Sequence, residues 1–274
     1  MSSDSNKQDS AGSAAGTEAR AGATAPSWGA ARDALAGFHN LVALLRNQGV
    51  PQQTLVDLLP ELRSSTNLLR AAFGSSREPD RTAGEVAAAG LGQIDQLDSL
   101  LDSIAAGAEP REDLSSRLAS LADDLEALAD LLALLERAAS PVPTEVSLDL
   151  VASEAGRVSG SARGKELAVR FDRASAECTV RTDPFLLGPL LSLVAARTRA
   201  AGLESLVVRT RSVPGPHFVV EGAREADAAL PSLSMRVLPW LAPSEGVVGR
   251  VAEALGARLD LSEERCTITL AAAD

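Results

Sequence analysis

The side chains able to do nucleophilic, acid–base or metal chemistry are few and widely spaced in this chain. There are two histidines. His39 lies in "GFHNLVALL" (37–45), beside an Asn and ahead of an aliphatic run. An imidazole on a helix face can accept a phosphoryl group without any bound nucleotide, so His39 is a candidate phosphoacceptor. The plainer reading is a half-solvated helix histidine. His217 follows "PGP" and opens an apparent strand, where a surface residue is expected. The two cysteines, Cys178 and Cys266, have no metal-ligand spacing and read as buried free thiols. With the histidines far apart and no cysteine pair nearby, no metal site is expected. Carboxylates are frequent. Asp95, Asp98 and Asp102 repeat at helical spacing, as do Asp123, Asp124, Glu126 and Asp130, and both sets read as solvated helix faces. Neither Gly-x-Ser-x-Gly nor a phosphate-binding Gly-x-x-x-x-Gly-Lys-Ser/Thr occurs. No cofactor is expected.

The composition sets bounds on what could position such groups. The 274 residues are 45% apolar, enough for a sizeable core and about two domains. A net charge of −11, with no basic run, argues against a nucleic-acid footprint. No long uncharged apolar stretch predicts a membrane span, and no basic-then-apolar N-terminus predicts a secretory signal. A cytoplasmic location is the expectation.

Residues 1–27 are rich in Ser, Ala and Gly, with almost nothing large to bury; they read as a disordered tail. A helical hairpin is expected over 28–75. Leu35, Phe38, Val42 and Leu45 form one stripe, "NQGVP" (47–51) breaks the chain, and Leu55, Leu58, Leu59, Leu62 and Leu69 form the next. Pro60 could kink that second helix. The clearest periodicity follows, over 81–142. Gly90, Ile94, Leu97, Leu101 and Ile104 alternate spacings of four and three. After "AGAEPRED" (106–113), Leu114, Leu118, Leu121, Leu125, Leu128, Leu132 and Leu135 do the same. Such a 3.5-residue seam packs against partner helices at a shallow angle. Two helices alone bury little, so two such hairpins are expected to pair in a homodimeric four-helix bundle.

"SPVPTEV" (140–146) ends the helical part. Over 143–274 the pattern turns to mixed α and β. A helix (149–159) leads to strands at 166–172 and 178–183, then a helix at 184–202. Strands at 205–213 and 217–223, an irregular stretch, a helix at 245–255 closed by Gly256, and strands at 257–262 and 266–272 complete the order. A sheet covered on one face by helices is expected, an α/β sandwich.

A leucine-seamed hairpin followed by this order resembles the dimerisation-and-phosphotransfer hairpin and ATP-binding domain of sensor histidine kinases, over about residues 81–274. Three stretches carry the likeness. "GEVAAAGLGQIDQLDSLLDSI" (Gly84–Ile104) looks like the phosphoacceptor helix, and "LASLADDLEALADLLALLERAA" (Leu118–Ala139) like the second hairpin helix. "TDPFLLGPLLSLVAARTRAAG" (Thr182–Gly202) looks like the first nucleotide-site helix.

The resemblance also implies where the family's chemistry should stand, and this chain departs from it at each place. The phosphoacceptor histidine falls on Gln93, an amide too weakly nucleophilic for the task. The magnesium-holding asparagine places fall on Ser192 and Ala196, and alanine offers no oxygen ligand. Where an Asp-x-Gly-x-Gly stretch would read the adenine, "VEGAREADAALPSL" (Val220–Leu233) keeps only Gly222. The glycine-rich lid is reduced to Gly246 and Gly249 in "APSEGVVGR" (Ala242–Arg250), too few to wrap phosphates with backbone.

The implied protein is a degenerate, catalytically inactive relative of histidine kinases, a scaffold in two-component signalling. It would dock a response-regulator receiver domain or a kinase on a surface including Gln93, Asp95 and Asp98. Two alternatives stand beside it: a histidine phosphotransferase using His39, and a structural protein that tethers a partner through the 1–27 tail.

Overall fold

The computed structural model describes residues 28–75, 81–107, 109–155, 165–172, 178–200, 205–213, 215–223, 232–237, 245–262 and 265–270. Only the backbone is described for 152–155, 165–171, 195–196, 198–200, 205–206, 222–223, 232–237 and 245. The expected tail, the 76–80 linker and most of the irregular stretch lie outside these residues.

Four long helices come first: α1 (Trp28–Arg46), α2 (Gln52–Ser75), α3 (Arg81–Ala106) and α4 (Arg111–Ala138). Each arises where leucines recur at three and four residues. α2 runs on through Pro60. α3 stops at Gly107, whose φ of 63° is the left-handed conformation that glycine enters without cost. α4 starts with Glu112 and Asp113 in its first turn and ends with Arg137 in its last, as the helix dipole favours.

The helices form a closed ring, in which α1 packs on α2 and α4, and α3 packs on α2 and α4. Neighbours run antiparallel. Arg32 of α1 meets Asp130 of α4, and seven residues on His39 meets Glu126; Arg63 and Arg70 of α2 meet Asp102 and Asp98 of α3 in the same reversed order. One core fills the ring, with Leu35, Phe38 and Leu45, Leu55, Leu69 and Phe73, Ile94, Leu97 and Leu101, and Leu118 and Leu125 all buried. Each such side chain contributes roughly 1.5–3 kcal/mol on leaving water.

This arrangement bears on the expected homodimer. The α3/α4 stripe needs a covering pair of helices, and in the structure α1 and α2 of the same chain cover it. The pairing of two hairpins occurs between consecutive hairpins of one chain, because 28–75 carries a complementary leucine stripe.

The α/β part adds β1 (Thr144–Ser147), α5 (Leu148–Ala155), β2 (Lys165–Asp172), β3 (Thr179–Thr182), α6 (Pro184–Ala200), β4 (Ser205–Arg211), β5 (His217–Ala223), β6 (Ser232–Val237), α7 (Glu245–Ala254), β7 (Arg258–Leu261) and β8 (Arg265–Thr269). β1 and β3 make an antiparallel pair, and the rest form a mixed sheet in the order β6-β2-β4-β5-β8-β7, with β2 and β4 parallel. β1 and β6 were not expected. α5, α6 and α7 contact the sheet, and the register gathers buried residues on one of its faces. Val208 pairs with Val220 and Val220 with Cys266, while Thr210 pairs with Phe218 and Phe218 with Ile268, and all six are buried. The other face carries an ion-paired ladder: Asp172 with Arg209 and Arg211, and Glu221 with Arg209 and Arg265.

α4 joins the two cores. Leu131 and Leu132 belong to the helical core, while Ala138 belongs to the α/β core, and Val247 of α7 reaches the helical core.

Candidate functional site

α4 lies between α1 and α3, so its sequence is read out into two grooves. Asp123 and Asp124 point about 100° apart around a helix of 3.6 residues per turn. Asp124 lines the α3/α4 groove with Gln93, Gln96 and Ser99 from α3 and Arg117 and Ser120 from α4; its volume is about 330 Å³. Asp123 lies on the α1 side with His39 and Glu126.

In the α3/α4 groove, Gln93 is half-buried, and its amide oxygen is buried with no hydrogen-bond partner among the described residues. Burial, then the neighbouring Asp123 charge, pushes the Asp124 carboxyl above its usual range. Arg117 donates to Glu109 at the start of the groove. A strong carbonyl acceptor, a carboxyl of raised proton affinity and two hydroxyls make this groove suited to hydrogen-bonding a polar partner. None of them is a nucleophile of the imidazole type.

Asp95 and Asp98 do not share that groove. They follow Gln93 by two and five residues, about 200° and 140° around the helix. They face α2, where Arg70 bridges both, at 2.8 Å to Asp95 and 2.9 Å to Asp98, and Arg63 holds Asp102 at 2.5 Å. The face read as simply solvated is thus an interhelical flank, because α2 presents arginines to it. The surface proposed from sequence, Gln93 with Asp95 and Asp98, divides into a groove residue and two ion-paired residues.

The trio at the α1/α4 junction was not read from the sequence. His39 Nε2 lies 3.7 Å from a Glu126 carboxylate oxygen, and ligand atoms of His39, Asp123 and Glu126 all fall within 4.8 Å of one another. All three are half-buried. The residues come from helices more than eighty positions apart, which no spacing rule links; only the i, i+3 pair Asp123/Glu126 was a visible signal.

The degenerate nucleotide-site positions fall as follows. Ser192 lies on α6, where its hydroxyl donates back to the Gly188 carbonyl at 3.3 Å. Ala196 is one turn further on α6, and Gly222 pairs with Leu206 across β4/β5. Gly246 and Gly249, at the place of the family's lid, are exposed residues inside α7, within the helix expected over 245–255. The helix extends over them because Val247, Val248 and Val251 are buried on its inner side.

At the head of α6 stands a residue whose role the sequence reading missed. Asp183 caps the helix by accepting from the Phe185 N–H at 2.9 Å, with Pro184 at the first helical position. Its carboxylate also accepts from Arg137 Nε at 2.9 Å and from the Val142 N–H at 2.8 Å. Burial alone would push the carboxyl up; the hydrogen bonds from Val142, Arg137 and Phe185 outweigh it and hold it below the usual range. The Arg137 guanidinium lies 5.5 Å from the Phe185 ring centroid. The Asp-Pro pair was the available signal.

Both cysteines are buried and free. Burial pushes the Cys266 thiol up to about 12, so it is not a nucleophile near neutrality. His217 is held by its Nδ1 at 2.7 Å from the Gly215 carbonyl, a turn contact. Among the described residues no helix is long and apolar enough to cross a membrane.

No family model matches the chain. No curated protein matches it either. Solved structures similar to it include the Acinetobacter baumannii histidine kinase AdeS, at 18% identity and a TM-score of 0.47, covering 66% of this chain and 96% of that one. A histidine kinase from Burkholderia phymatum is similar at 20% identity and a TM-score of 0.31, covering 71% of this chain and 98% of that one. The blue-light activated histidine kinase EL346 of Erythrobacter litoralis is similar at 16% identity and a TM-score of 0.30, with 64% and 62% covered.

Proposed function

We propose that this protein is a catalytically inactive, histidine-kinase-like scaffold that binds a protein partner, a receiver domain or a kinase, through the α3/α4 groove. The observation that carries the reading is Gln93. It stands on α3, at the place where the sequence resemblance sets a phosphoaccepting histidine, and it lines a polar groove of partner-accessible size. Its amide nitrogen is delocalised into the carbonyl and cannot take a phosphoryl group as imidazole does. The carbonyl oxygen of the same amide is buried and lacks a partner among the described residues, so a turn of the side chain into the groove would let it accept a hydrogen bond from an incoming chain.

The α/β part supports the inactive reading through what its degenerate positions offer. The Ser192 hydroxyl is turned onto its own helix, and Gly246 and Gly249 belong to α7, so neither supplies a flexible phosphate wrap. On this reading the part is a folded appendage fixed to α4 by Asp183 and Arg137. A homodimer, which the resemblance implies, would have to use a surface other than the covered leucine stripe.

The phosphotransferase alternative through His39 is disfavoured by its surroundings. Two carboxylates beside the imidazole repel an incoming phosphoryl donor, itself an anion. The tether alternative rests on residues outside those described.

Isothermal titration of the full chain with magnesium-ATP is expected to give no heat, and micromolar binding overturns the inactive reading. Titration of the scaffold with phosphorylated and unphosphorylated receiver domains tests the partner. Gln93→Arg is expected to weaken any such complex at least tenfold, and a complex indifferent to it places the partner elsewhere.

A further inference from the structure

We infer that His39, Asp123 and Glu126 form a binding site for a divalent transition-metal ion of the zinc type, pinning α1 to α4. The inference does not depend on the scaffold reading. One imidazole and two carboxylates are a ligand set such ions accept, leaving a fourth position open. Around a tetrahedral ion with bonds near 2.0 Å, two ligand atoms lie about 3.3 Å apart. The His39–Glu126 separation of 3.7 Å is already close to that, and the widest separation in the trio, up to 4.8 Å, closes by small rotations of half-exposed side chains. The backbone supplies the preorganisation. Asp123 and Glu126 sit at i, i+3 on one face of α4, and His39 is brought opposite them by the ring closure of α1 on α4.

The electrostatics favour a cation. With His39 neutral the trio carries two negative charges, and Asp124 lies next to Asp123 in a chain of net charge −11. Arg32, across the same junction, feels Glu126 but is committed to Asp130 at 2.6 Å. The site spans the first and last helices of the ring, so the ion would tie the N-terminal hairpin to the α3/α4 hairpin. An ion that binds the folded chain alone raises its stability by mass action.

The test uses the full chain stripped with a chelator. Zn²⁺ titrated calorimetrically is expected to bind one ion per chain with a micromolar Kd and to raise Tm by a few degrees. Co²⁺ is expected to give visible d–d absorption. His39→Ala should lose at least tenfold in affinity together with the absorption band, and Glu126→Gln about tenfold. Glu61→Gln, at an exposed position of α2, should leave binding within twofold. His39 and Glu126 are each about two-fifths exposed, and circular dichroism checks that each variant folds. Absence of Zn²⁺ binding overturns the inference, as does binding that His39→Ala leaves unchanged.

Discussion

Asp183 is one carboxylate on which three segments converge: the end of α4 through Arg137, the 139–143 connection through the Val142 N–H, and the start of α6 through Phe185. Its side chain is 0% exposed, so removing it takes away the acceptor of Arg137 and of the Val142 N–H and loses a helix cap. Asp183→Ala is expected to cost about 2–4 kcal/mol, the sum of a lost cap and two lost hydrogen bonds, one of them from a charged donor. The pH dependence follows from the direction of its shift. A carboxyl held below its unfolded value of about 3.9 contributes stability that is fully present above that value. It is lost as pH falls through the depressed folded value. The gap between wild type and Asp183→Asn in urea unfolding should therefore be widest near neutrality and narrow steadily below pH ~4. A gap that does not change with pH would show that the ionised carboxylate is not what matters. The role was half legible: Asp before Pro at a helix start is a cap signature, but nothing local names Arg137 as its partner, forty-six residues away. His39 is the opposite case. Its type was noticed and its surroundings were not, because they come from α4.

At the scale of elements, two glycines in α3 separate packing from propensity. A Cβ on Gly90 would lie 2.3 Å from two ring atoms of Phe73 of α2. That ring is fully buried and meets Trp28 edge-on at 5.4 Å, so it has little room to retreat. Gly90→Ala is expected to destabilise by about 1–3 kcal/mol through overpacking, against a propensity gain of about 1 kcal/mol. Gly92, two residues on, is exposed, and a Cβ there meets nothing within 4 Å. Gly92→Ala should stabilise by about 0.5–1 kcal/mol. Thermal unfolding of the pair gives opposite signs; equal signs would mean that Phe73 moves aside at no cost. The helices were legible because their leucine spacing repeats over many turns. Gly256 was also legible, and it ends α7 with N–H bonds from Gly256 to Glu253 and from Ala257 to Ala252 at 2.9 Å each. β1 and β6 were not. "TEVS" and "SLSMRV" are short, and each lies at the edge of its pairing, so its strand character comes from the neighbour rather than from its own alternation. The helix over 245–255 was legible despite Gly246 and Gly249, because Val247, Val248 and Val251 supply its buried stripe.

For the whole molecule, the decisive feature is that the 28–75 hairpin occupies the side of α3/α4 where a second hairpin was expected. The sequence displayed both stripes but not which would meet, since a leucine seam specifies burial and not the chain that provides it. The consequence can be measured by removing residues 1–75. Ile94, Leu97, Leu101, Ile104, Leu118, Leu121, Leu125 and Leu128 are buried in the intact core, and much of that surface would then face water. At roughly 1.5–3 kcal/mol for each fully buried side chain, leaving even half of them exposed costs about 6–12 kcal/mol, comparable to the total stability of a typical domain, about 5–15 kcal/mol. The shortened chain must therefore cover the stripe with another copy or lose its helices. Light scattering at matched concentration is expected to show more copies per particle for residues 76–274 than for the full chain, with helical content by circular dichroism retained if the copies pair as hairpins. A shortened chain with the same number of copies and the same helicity as the full one would mean that α1 and α2 do not shield the seam, and the self-contained four-helix core would have to be abandoned.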